Sequence, residues 1–453
     1  MSDPAVPFRV ALRTWGRIGL ESFGGPAGQI AVMHRVLVDE RRWISEERFL
    51  HGLSYCMLLP GPEAQQLATY VGWLLHGTRG GLAAGLLFVA PGAVVMWVLS
   101  SIYAEWGNVA WVTALFFGVK SAVLALVVEA LLRIGRRALR HRPHIAIAAA
   151  AFVAIFGFAV PFPAIVAGAA AIGWALARWV PATAVAAAPS AADARPKPAV
   201  DALLEDALPA YAKPSARRTL RVAAVWLALW LVPVAALGAA LGAGDVLARI
   251  ATLFSKLAVV TFGGAYAVLA YLAQQAVTGY GWLTPGQMLD GLGLAETTPG
   301  PLILVLQFVA YQAAYRQPGA LAPWQSGTLA AAIALWVTFV PCFLWIFVGG
   351  PYIESVRGSR SLRGALGGIT AAVVGVVLNL VVWFALHVLF ARFAERSVGA
   401  LILHVPVWST LSLPAAAIAL GAAIAALRFH VPMFRLLAGC TLAGVALHAL
   451  GLA

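Results

Sequence analysis

The sequence predicts an all-α polytopic membrane protein built from two inverted-topology repeats that contain broken or re-entrant helices. Of the 453 residues, 62% are hydrophobic and only 11% are charged, and the mean hydropathy is +0.87. This composition leaves too little polar surface to cover a water-soluble globule of this size. The apolar runs are continuous rather than alternating, which excludes a membrane β-barrel. Motifs rich in glycine and proline also occur twice at a fixed separation, which indicates duplication.

A segment rich in proline and alanine divides the chain. Residues 181–219 contain six prolines and few large apolar residues, a composition typical of a flexible connector. We therefore expect a first membrane repeat at 1–180, a cytoplasmic linker at 181–219, an inverting transmembrane helix at 220–246 and a second membrane repeat at 247–453.

The two halves align with each other. Residues 15–72 match residues 254–311 without a gap, at a separation of 239 positions and with thirteen identities. The identities concentrate on glycine, proline and tryptophan, whereas chance matches in membrane sequence would favour leucine and alanine. The main matches are Phe23-Gly24-Gly25 with Phe262-Gly263-Gly264, Trp43 with Trp282, and Pro60-Gly61-Pro62 with Pro299-Gly300-Pro301.

Nine segments have the length and hydropathy of clean membrane spans. They are 80–104, 109–132, 144–160, 161–180, 220–243, 325–348, 363–390, 410–428 and 432–452. Two more segments in the first half are interrupted, 8–33 by Gly24-Gly25-Pro26 and 46–77 by Pro60-Gly61-Pro62, and the second half repeats this pattern. As one helix, 46–77 would measure about 48 Å, too long for one crossing. A Pro-Gly-Pro triplet ends one helix and can start another with its second proline as the first helical residue.

Loop charges predict the topology. The loops at 34–48, 133–142 and 357–363 are rich in arginine and are placed in the cytoplasm, together with the N-terminus and the linker. The loop at 278–286 corresponds to 34–48 in the repeat but carries no charge, which places it outside. The halves then have opposite orientations, as in many transporters. The alternative is that the broken segments simply span, which would leave four arginines outside.

Half-helices that start inside the membrane predict an anion site. Such a start presents unpaired amide groups and the positive end of the helix dipole. Four starts are expected, near Pro26, Pro62, Ala265 and Pro301. We predict that backbone amides there hold a small oxyanion; the alternative is that the motifs only permit kinks or close helix crossing. The positions concerned are Gly24, Gly25, Pro26, Pro60, Gly61, Pro62, Gly263, Gly264, Pro299, Gly300 and Pro301.

Cationic and hydroxyl side chains near these starts support the prediction. Arg17 aligns with Lys256 and Ser22 aligns with Thr261, each shortly before the Phe-Gly-Gly motif. Lys120 lies near the middle of the span 109–132. Inserting a charged side chain there costs free energy, so an intramembrane lysine indicates a functional role. All five are candidate ligands of the oxyanion. The alternatives are an interfacial role for Arg17 and a carboxylate partner on another helix for Lys120.

Three carboxylates are candidates for coupling or gating. They are Glu21, Glu63 and Glu296, and the alternative for Glu63 is a contact with the helix dipole. Glu63 aligns with Leu302, so the repeats have diverged at this point. Candidate donors along the pathway are Gln29, Gln65, Gln66, Gln307 and Asn379. Glu129 and Arg133 are expected to form an ordinary pair four residues apart on one helix.

Other classes of function lack support. Nucleotide-binding, metalloprotease and serine-hydrolase motifs are absent, and the histidines do not cluster. Cys56, Cys342 and Cys440 are far apart and suggest neither a disulfide nor a cluster. We therefore expect no enzyme activity, cofactor or metal, and the net charge of +13 indicates cytoplasmic loops rather than nucleic-acid binding.

The motifs FGGPAGQIAVMH at 23–34, RRWISEERFLHGLSYCMLLPGPEAQQLATYVGW at 41–73, and TFGGAYAVL with TTPGP in the second half resemble the chromate ion transporter (CHR) family of bacteria, in its long, two-domain form. The resemblance implies two homologous membrane domains and export of chromate, which confers chromate resistance, with sulfate as the natural analogue. It implies family motif positions at Phe23, Gly24, Gly25, Pro26, Gln29, Trp43, Pro60, Gly61, Pro62, Glu63, Gln65 and Gln66. The second half departs from the first-half motif, because Ala265 stands opposite Pro26.

The sequence thus favours a secondary transporter that exports chromate across the inner membrane by alternating access. A carrier of sulfate or another oxyanion is the first alternative, and an integral-membrane enzyme acting on phosphorylated lipid is the second. A homodimer is compatible with the sequence.

Overall fold

The computed structural model describes residues 6–23, 25–107, 109–139, 141–158, 160–177, 198–200, 211–260, 262, 265–353, 360–398 and 401–451. Most of the predicted linker lies outside these residues, as do the predicted site residues Gly24, Thr261, Gly263 and Gly264. The described chain is almost wholly helical, which confirms the predicted all-α membrane class.

Seven helices form the first half: α1 Phe8–Glu21, α2 Gly25–His34, α3 Glu46–Cys56, α4 Glu63–Trp106, α5 Ala110–Ala138, α6 Arg142–Phe158 and α7 Phe162–Leu176. The second half contains α8 Ala216–Leu241, α9 Val246–Val260, α10 Ala265–Ala273, α11 Pro285–Thr297, α12 Val305–Arg316, α13 Pro323–Gly349, α14 Arg360–Leu389, α15 Leu413–Phe429 and α16 Met433–Ala449.

All nine predicted clean spans fall on helices. Within the described part of the chain, five helical segments are long and apolar enough to cross a membrane: Glu63–Trp106, Ala110–Arg136, Ala216–Leu241, Pro323–Tyr352 and Gly364–Leu389. The shorter apolar helices include α6, α7, α15 and α16. An antiparallel hairpin of β1 (Phe393–Val398) and β2 (Leu401–Pro406), which was not predicted from the sequence, joins α14 to α15.

The duplication is visible in local backbone detail. A π-helical turn follows α2 at Arg35–Glu40, and another follows α10 at Gln274–Gly279, 239 positions later. The next helix of each half has a hydroxyl cap, because Ser45 accepts from the Arg48 amide and Thr284 accepts from the Gln287 amide. Two stretches of low identity therefore fold in the same way.

Both Pro-Gly-Pro triplets are the tips of helical hairpins. A Cβ added to Gly52 on α3 would lie 2.7 Å from the Tyr70 ring on α4, and one added to Gly291 on α11 would lie 2.4 Å from the Phe308 ring on α12. A continuous helix would separate Gly52 from Tyr70 by about 27 Å. The chain therefore turns back at each triplet, as the prediction of re-entrant helices requires.

The second proline of each triplet is the N-cap and not, as predicted, the first helical residue. Pro62 has φ −71° and ψ 105°, and Pro301 has φ −65° and ψ 134°. These extended ψ values follow from the turn, which Gly61 and Gly300 make at φ 117° and 89°. Helical conformation begins one residue later, at Glu63 and at the 3₁₀ turn Leu302–Leu304.

The long helix α4 is broken near its first third. His76 and Gly77 leave helical geometry, with Gly77 at φ 61°. A Cβ on Gly72 would lie 2.5 Å from the Gly80 carbonyl oxygen, so segment 63–75 folds back along segment 78–106. This break confirms the predicted separation between the interrupted segment 46–77 and the span 80–104.

The linker ends beside this break. The Tyr211 hydroxyl donates to the Leu74 carbonyl at 2.9 Å, and the Tyr211 ring packs on Trp73. Burial raises the pKa of the Tyr211 phenol, which keeps this group a donor.

Equivalent positions of the two halves lie at opposite ends of one long helix. Gly77 adjoins the start of segment 78–106. Its equivalent in the second half, 239 positions later, is Arg316. The preceding residue, Tyr315, lies near the other end of the segment, because its hydroxyl donates to Glu105 at 2.5 Å. The segment is about 44 Å long. We call its two ends the Gly77 end and the Glu105 end. This placement is the geometry that an inverted-topology repeat requires.

Candidate functional site

The first Phe-Gly-Gly break and the second Pro-Gly-Pro turn are joined by two hydrogen bonds. The Gly300 amide donates to the Ser22 carbonyl at 2.7 Å, and Gln29 Nε2 donates to the Gly300 carbonyl at 2.7 Å. Ser22 and Gln29 are buried, with relative exposures of 0% and 1%. We call residues 22–23, 25–29 and 299–301 together the tip junction. It brings together predicted site residues of both halves.

The tip junction is reached by half-helices from opposite ends of the molecule. α1 begins at the Gly77 end, where the Val6 carbonyl contacts His76 Nε2 at 2.8 Å, and its 14 residues cover about 21 Å. The second hairpin, α11 and α12, enters from the Glu105 end. The two breaks therefore meet head to head, as the sequence predicts.

The tip junction lies about halfway along a membrane-spanning segment. A Cβ on Gly92 would lie 2.0 Å from the Pro299 carbonyl oxygen, and Gly92 is the midpoint of segment 78–106. Gln307 Nε2 donates to the adjacent Ala93 carbonyl at 2.9 Å, which secures the hairpin on this helix. Irregular backbone at such depth is tolerated only where protein or a polar cavity surrounds it.

The first Pro-Gly-Pro turn makes the corresponding contact with a long helix of the second half. A Cβ on Gly61 would lie 2.9 Å from Cys342 Sγ on α13. Cys342 follows Pro341 as Gly92 follows Pro91. Each triplet therefore packs beside the proline of a long helix that belongs to the opposite half.

Local sequence explains why the chain breaks at these points. Gly25 has φ 69°, a conformation that side-chain-bearing residues rarely adopt, so α1 cannot continue into α2 as one helix. The Ser22 hydroxyl donates to the Ile18 carbonyl at 2.6 Å, which satisfies a carbonyl in the last turn of α1. Ser22 thus contributes its backbone carbonyl to the tip junction while its hydroxyl is engaged within α1.

Backbone amides at the tip junction are only partly available to a ligand. The Gly300 amide donates to the Ser22 carbonyl and is therefore not free to bind an oxyanion, although the amides at this triplet were predicted to do so. The amides of Leu302 and Ile303 open the 3₁₀ turn and have no preceding turn to bond to. These two donors are the part of the predicted oxyanion cradle that the second hairpin offers.

Lys120 is paired with a carboxylate that the sequence analysis missed. Lys120 Nζ lies 3.2 Å from Asp290 Oδ1, and Tyr103 donates to Asp290 Oδ2 at 2.6 Å. Asp290 is 4% exposed and belongs to α11 of the second hairpin. The alternative interpretation of Lys120, a carboxylate on another helix, is therefore correct. An acidic residue within an apolar hairpin was the signal that could have identified Asp290.

Arg17 and Lys256 lie on exposed faces. Arg17 Nε donates to Glu21 at 2.7 Å and Arg17 Nη1 donates to Glu40 at 2.8 Å. Arg35 also binds Glu21, at 2.7 Å, which makes a surface network of alternating charges. Lys256 is exposed on α9. The structure does not bring either cation into the tip junction, and Glu21 serves this network.

A polar cavity of about 240 Å³ adjoins the tip junction. By volume it would hold about eight water molecules. Glu296 lines it, three residues before Pro299, and Met433 lines it next to Phe434, whose ring packs on Phe23 at 5.2 Å. Its other polar lining residues are Glu129, Arg133 and His430. Glu129 and Arg133 form the predicted pair, at 2.5 Å.

The polar cavity lies on the Gly77 side of the tip junction. α5 starts just after segment 78–106 ends, so it returns toward the Gly77 end, and Arg133 is near its last turn. The second hairpin enters from the Glu105 end. Apart from Glu296, which is near the tip, this hairpin is therefore on the opposite side of the tip junction from the cavity.

Comparisons with known proteins place the chain in a family. A sequence model of the family described as "Chromate transporter" matches residues 10–174 and 248–445. The "Chromate transport protein" of Pseudomonas aeruginosa is 34% identical over 369 residues, which are 80% of this chain and 77% of that protein. The "Chromate transport protein" of Cupriavidus metallidurans is 25% identical over 84% of each chain.

An uncharacterised transporter of Methanocaldococcus jannaschii is also 25% identical, over 86% of each chain. No solved structure matches the chain. The family match covers both membrane halves, including the tip junction and both Pro-Gly-Pro turns. The chain is thus a multi-pass membrane protein that belongs to the chromate transporter family.

Proposed function

We propose that the protein is a secondary transporter that exports chromate across the bacterial inner membrane by alternating access. Membership of the chromate transporter family supports this cargo, and so do the names of the relatives from Pseudomonas aeruginosa and Cupriavidus metallidurans. The observation that carries the mechanism is the bond between Gln29 and Gly300 at mid-depth. It joins the two halves at the point where a rocking motion would expose a site to either side.

In this proposal the Gly77 end faces the cytoplasm. Arginines concentrate there, with Arg79 beside the α4 break and Arg133 and Arg136 near the end of α5. Chromate enters the polar cavity from the cytoplasm, attracted by this excess of positive charge. It then reaches the tip junction, where amides at the start of the second half-helix, those of Leu302 and Ile303, bind its oxygens.

The Lys120–Asp290 pair lies beyond the tip junction, on the path to the outside. Its charges cancel, so it does not hold the dianion at rest. A passing oxyanion competes with Asp290 for Lys120, because both bind through charged oxygens. Release of Asp290 would loosen the second hairpin from α5 and open the outward path.

The membrane potential is sufficient to drive export. Moving a dianion out of a cell that is negative inside gains about 4.6 kcal/mol at 100 mV. This energy corresponds to a concentration ratio of roughly a thousandfold. Uptake of the same ion would need a coupled cation.

Chromate efflux from expressing cells tests the proposal. Gly300→Ala is the diagnostic variant, because a side chain at φ 89° strains the tip of the second hairpin. Gly319→Ala is the matched control, since Gly319 also has a positive φ, 60°, but has open space around it. We expect efflux of labelled chromate and chromate tolerance to fall at least tenfold in the first variant and to persist in the second. Wild-type efflux in an inserted Gly300→Ala protein would refute the site.

The same cells distinguish the alternative cargo. A sulfate carrier would transport labelled sulfate while giving no chromate tolerance. The backbone amides of the tip junction bind any tetrahedral dianion, so this comparison is made at equal concentrations of the two ions.

A further inference from the structure

We infer that the first Pro-Gly-Pro turn binds a sodium ion, in a site that is distinct from the tip junction. This inference rests on the proposed transport function. It begins with buried side-chain oxygens that have no hydrogen-bond partner: Gln66 Oε1 and Thr338 Oγ1. Gln66 is 0% exposed and Thr338 is 4% exposed. An unpaired buried acceptor destabilises the folded state, so such atoms call for a ligand.

These oxygens belong to one place in the structure. Gln66 Nε2 donates to the Pro60 carbonyl at 2.7 Å, which fixes the amide across the turn and leaves Oε1 free. A Cβ on Gly61 would lie 2.8 Å from Gln66 Nε2 and 2.9 Å from Cys342 Sγ. Cys342 Sγ in turn donates to the Thr338 carbonyl at 3.4 Å, one turn earlier on α13. Gln66 thus belongs to the turn, and Thr338 lies one helical turn before Cys342 on the face of α13 that the turn contacts.

A carboxylate completes the set. Glu63 starts α4 and lies on the same helix face as Gln66, three residues later. Its carboxylate accepts a hydrogen bond from its own backbone amide, and among the described residues no lysine or arginine forms an ion pair with it. Carbonyl groups at the C-terminal end of α3 lie on the other side of the turn and carry partial negative charge.

The chemistry of this set fits a hard monovalent cation. Its atoms are one carboxylate, one amide oxygen, one hydroxyl and helix-end carbonyls, all oxygen acceptors. Such atoms repel an oxyanion. In transporters with broken helices, unwound carbonyls and helix C-terminal ends commonly coordinate Na⁺. One net negative charge balances one Na⁺.

The second turn lacks these ligands. Leu302 and Val305 replace Glu63 and Gln66 at the equivalent positions. The duplicated turns have therefore acquired different roles: the second offers amides to an anion, and the first offers oxygens to a cation. Since Thr338 belongs to the second half, bound Na⁺ would connect both halves and make their relative motion depend on Na⁺.

Na⁺ binding can be measured on the purified full-length protein without chromate. We expect the unfolding temperature to rise as NaCl replaces choline chloride at constant ionic strength, and to change little with KCl. Glu63→Gln, Gln66→Leu and Thr338→Val should each weaken the apparent Na⁺ affinity at least tenfold. Ser326→Ala is the control, because it also removes a buried unpaired oxygen from α13, about 18 Å from Thr338.

Several outcomes would overturn the inference. One is a wild-type protein that responds equally to Na⁺, K⁺ and choline, as expected if a water molecule fills the site. Another is stabilisation by low pH that depends on Glu63 without any effect of Na⁺, which would indicate a proton. If a variant fails to fold, Glu63→Asp and Thr338→Ser, which keep the oxygens, should fold and retain Na⁺ binding with altered affinity.

Chromate efflux separates this inference from the proposed function. If the protein shows no thermal response to Na⁺ and its chromate efflux is intact and independent of Na⁺, the Na⁺ site is refuted and the proposed chromate pathway stands. A Na⁺ response in a protein that moves no chromate does the reverse.

Discussion

Gln29 and Gly300 are 271 positions apart, yet the Gln29 side chain donates to the Gly300 carbonyl at 2.7 Å in the middle of the membrane-spanning region. One residue belongs to a half-helix that returns to the Gly77 end, and the other is the tip of a hairpin that enters from the Glu105 end. Together with the Gly300–Ser22 backbone bond, this side-chain amide joins the first Phe-Gly-Gly break to the tip of the second hairpin.

Gln29→Leu should impair transport far more than stability. The change leaves the Gly300 carbonyl buried without its donor, at a cost of about 1–3 kcal/mol concentrated at the tip junction. We expect chromate efflux to fall at least tenfold while membrane insertion persists. Gln312→Leu is the control, because Gln312 Nε2 donates to the Ser100 carbonyl at 2.8 Å, between the same hairpin and α4 but away from the tip. Equal losses in the two variants would contradict a special role for Gln29.

Gly92→Ala should prevent the second hairpin from seating. The added Cβ would lie 2.0 Å from the Pro299 carbonyl oxygen, and neither backbone can yield easily at the midpoint of a packed helix. We expect a loss of roughly 2 kcal/mol or more in stability, measured as a lower unfolding temperature, with loss of efflux. Gly16→Ala should be neutral or stabilising, since nothing lies within 4 Å of its Cβ position.

Breaking the Lys120–Asp290 pair from one side should be worse than removing both charges. Asp290→Leu leaves a lysine unpaired among apolar helices, which costs about 3–5 kcal/mol. The double variant Lys120→Met, Asp290→Leu removes the uncompensated charge and should recover much of the unfolding temperature. Efflux should remain low in both, since Lys120 is proposed to act on the outward path. Additive losses in the double variant would show that the two residues do not interact.

The inverted orientation can be checked with two single-cysteine probes. Arg41 and Tyr280 are equivalent positions in the repeat, and both are exposed. In intact cells a membrane-impermeant maleimide should label Tyr280→Cys at once and Arg41→Cys only after the membrane is opened. The native Cys56, Cys342 and Cys440 are buried and give a low background. Labelling of both positions from outside would contradict the inversion.

The broken helices could be predicted from the sequence because their cause is local. A Pro-Gly-Pro triplet cannot continue a helix in any environment, so the hairpins around Gly61 and Gly300 followed from covalent geometry. The start of the helix was nevertheless predicted one residue too early, at Pro62, because a proline ring suits the first helical position, whereas the preceding glycine turn gives Pro62 an extended ψ of 105°.

The partners of charged residues could not be found in this way. Lys120 meets Asp290 only because α11 packs on α5, a contact between residues 170 positions apart. Arg17 was placed in the site by its alignment with Lys256, but alignment does not reveal which face of α1 points outward. The contacts of the two triplets with Gly92 and Cys342 also depend on how the two halves pack together, which the local sequence does not encode.

Each Pro-Gly-Pro turn packs against a long helix of the other half, so the two halves depend on each other during biogenesis. The turn at Gly61 finishes against α13, which is synthesised more than 250 residues later, and the turn at Gly300 finishes against α4, which is already in the bilayer. The hairpin around Gly61 therefore stays incompletely packed until the second half has been translated. A chain truncated after the linker would retain an unfilled groove beside Gly61, and quality-control proteases would be expected to recognise it.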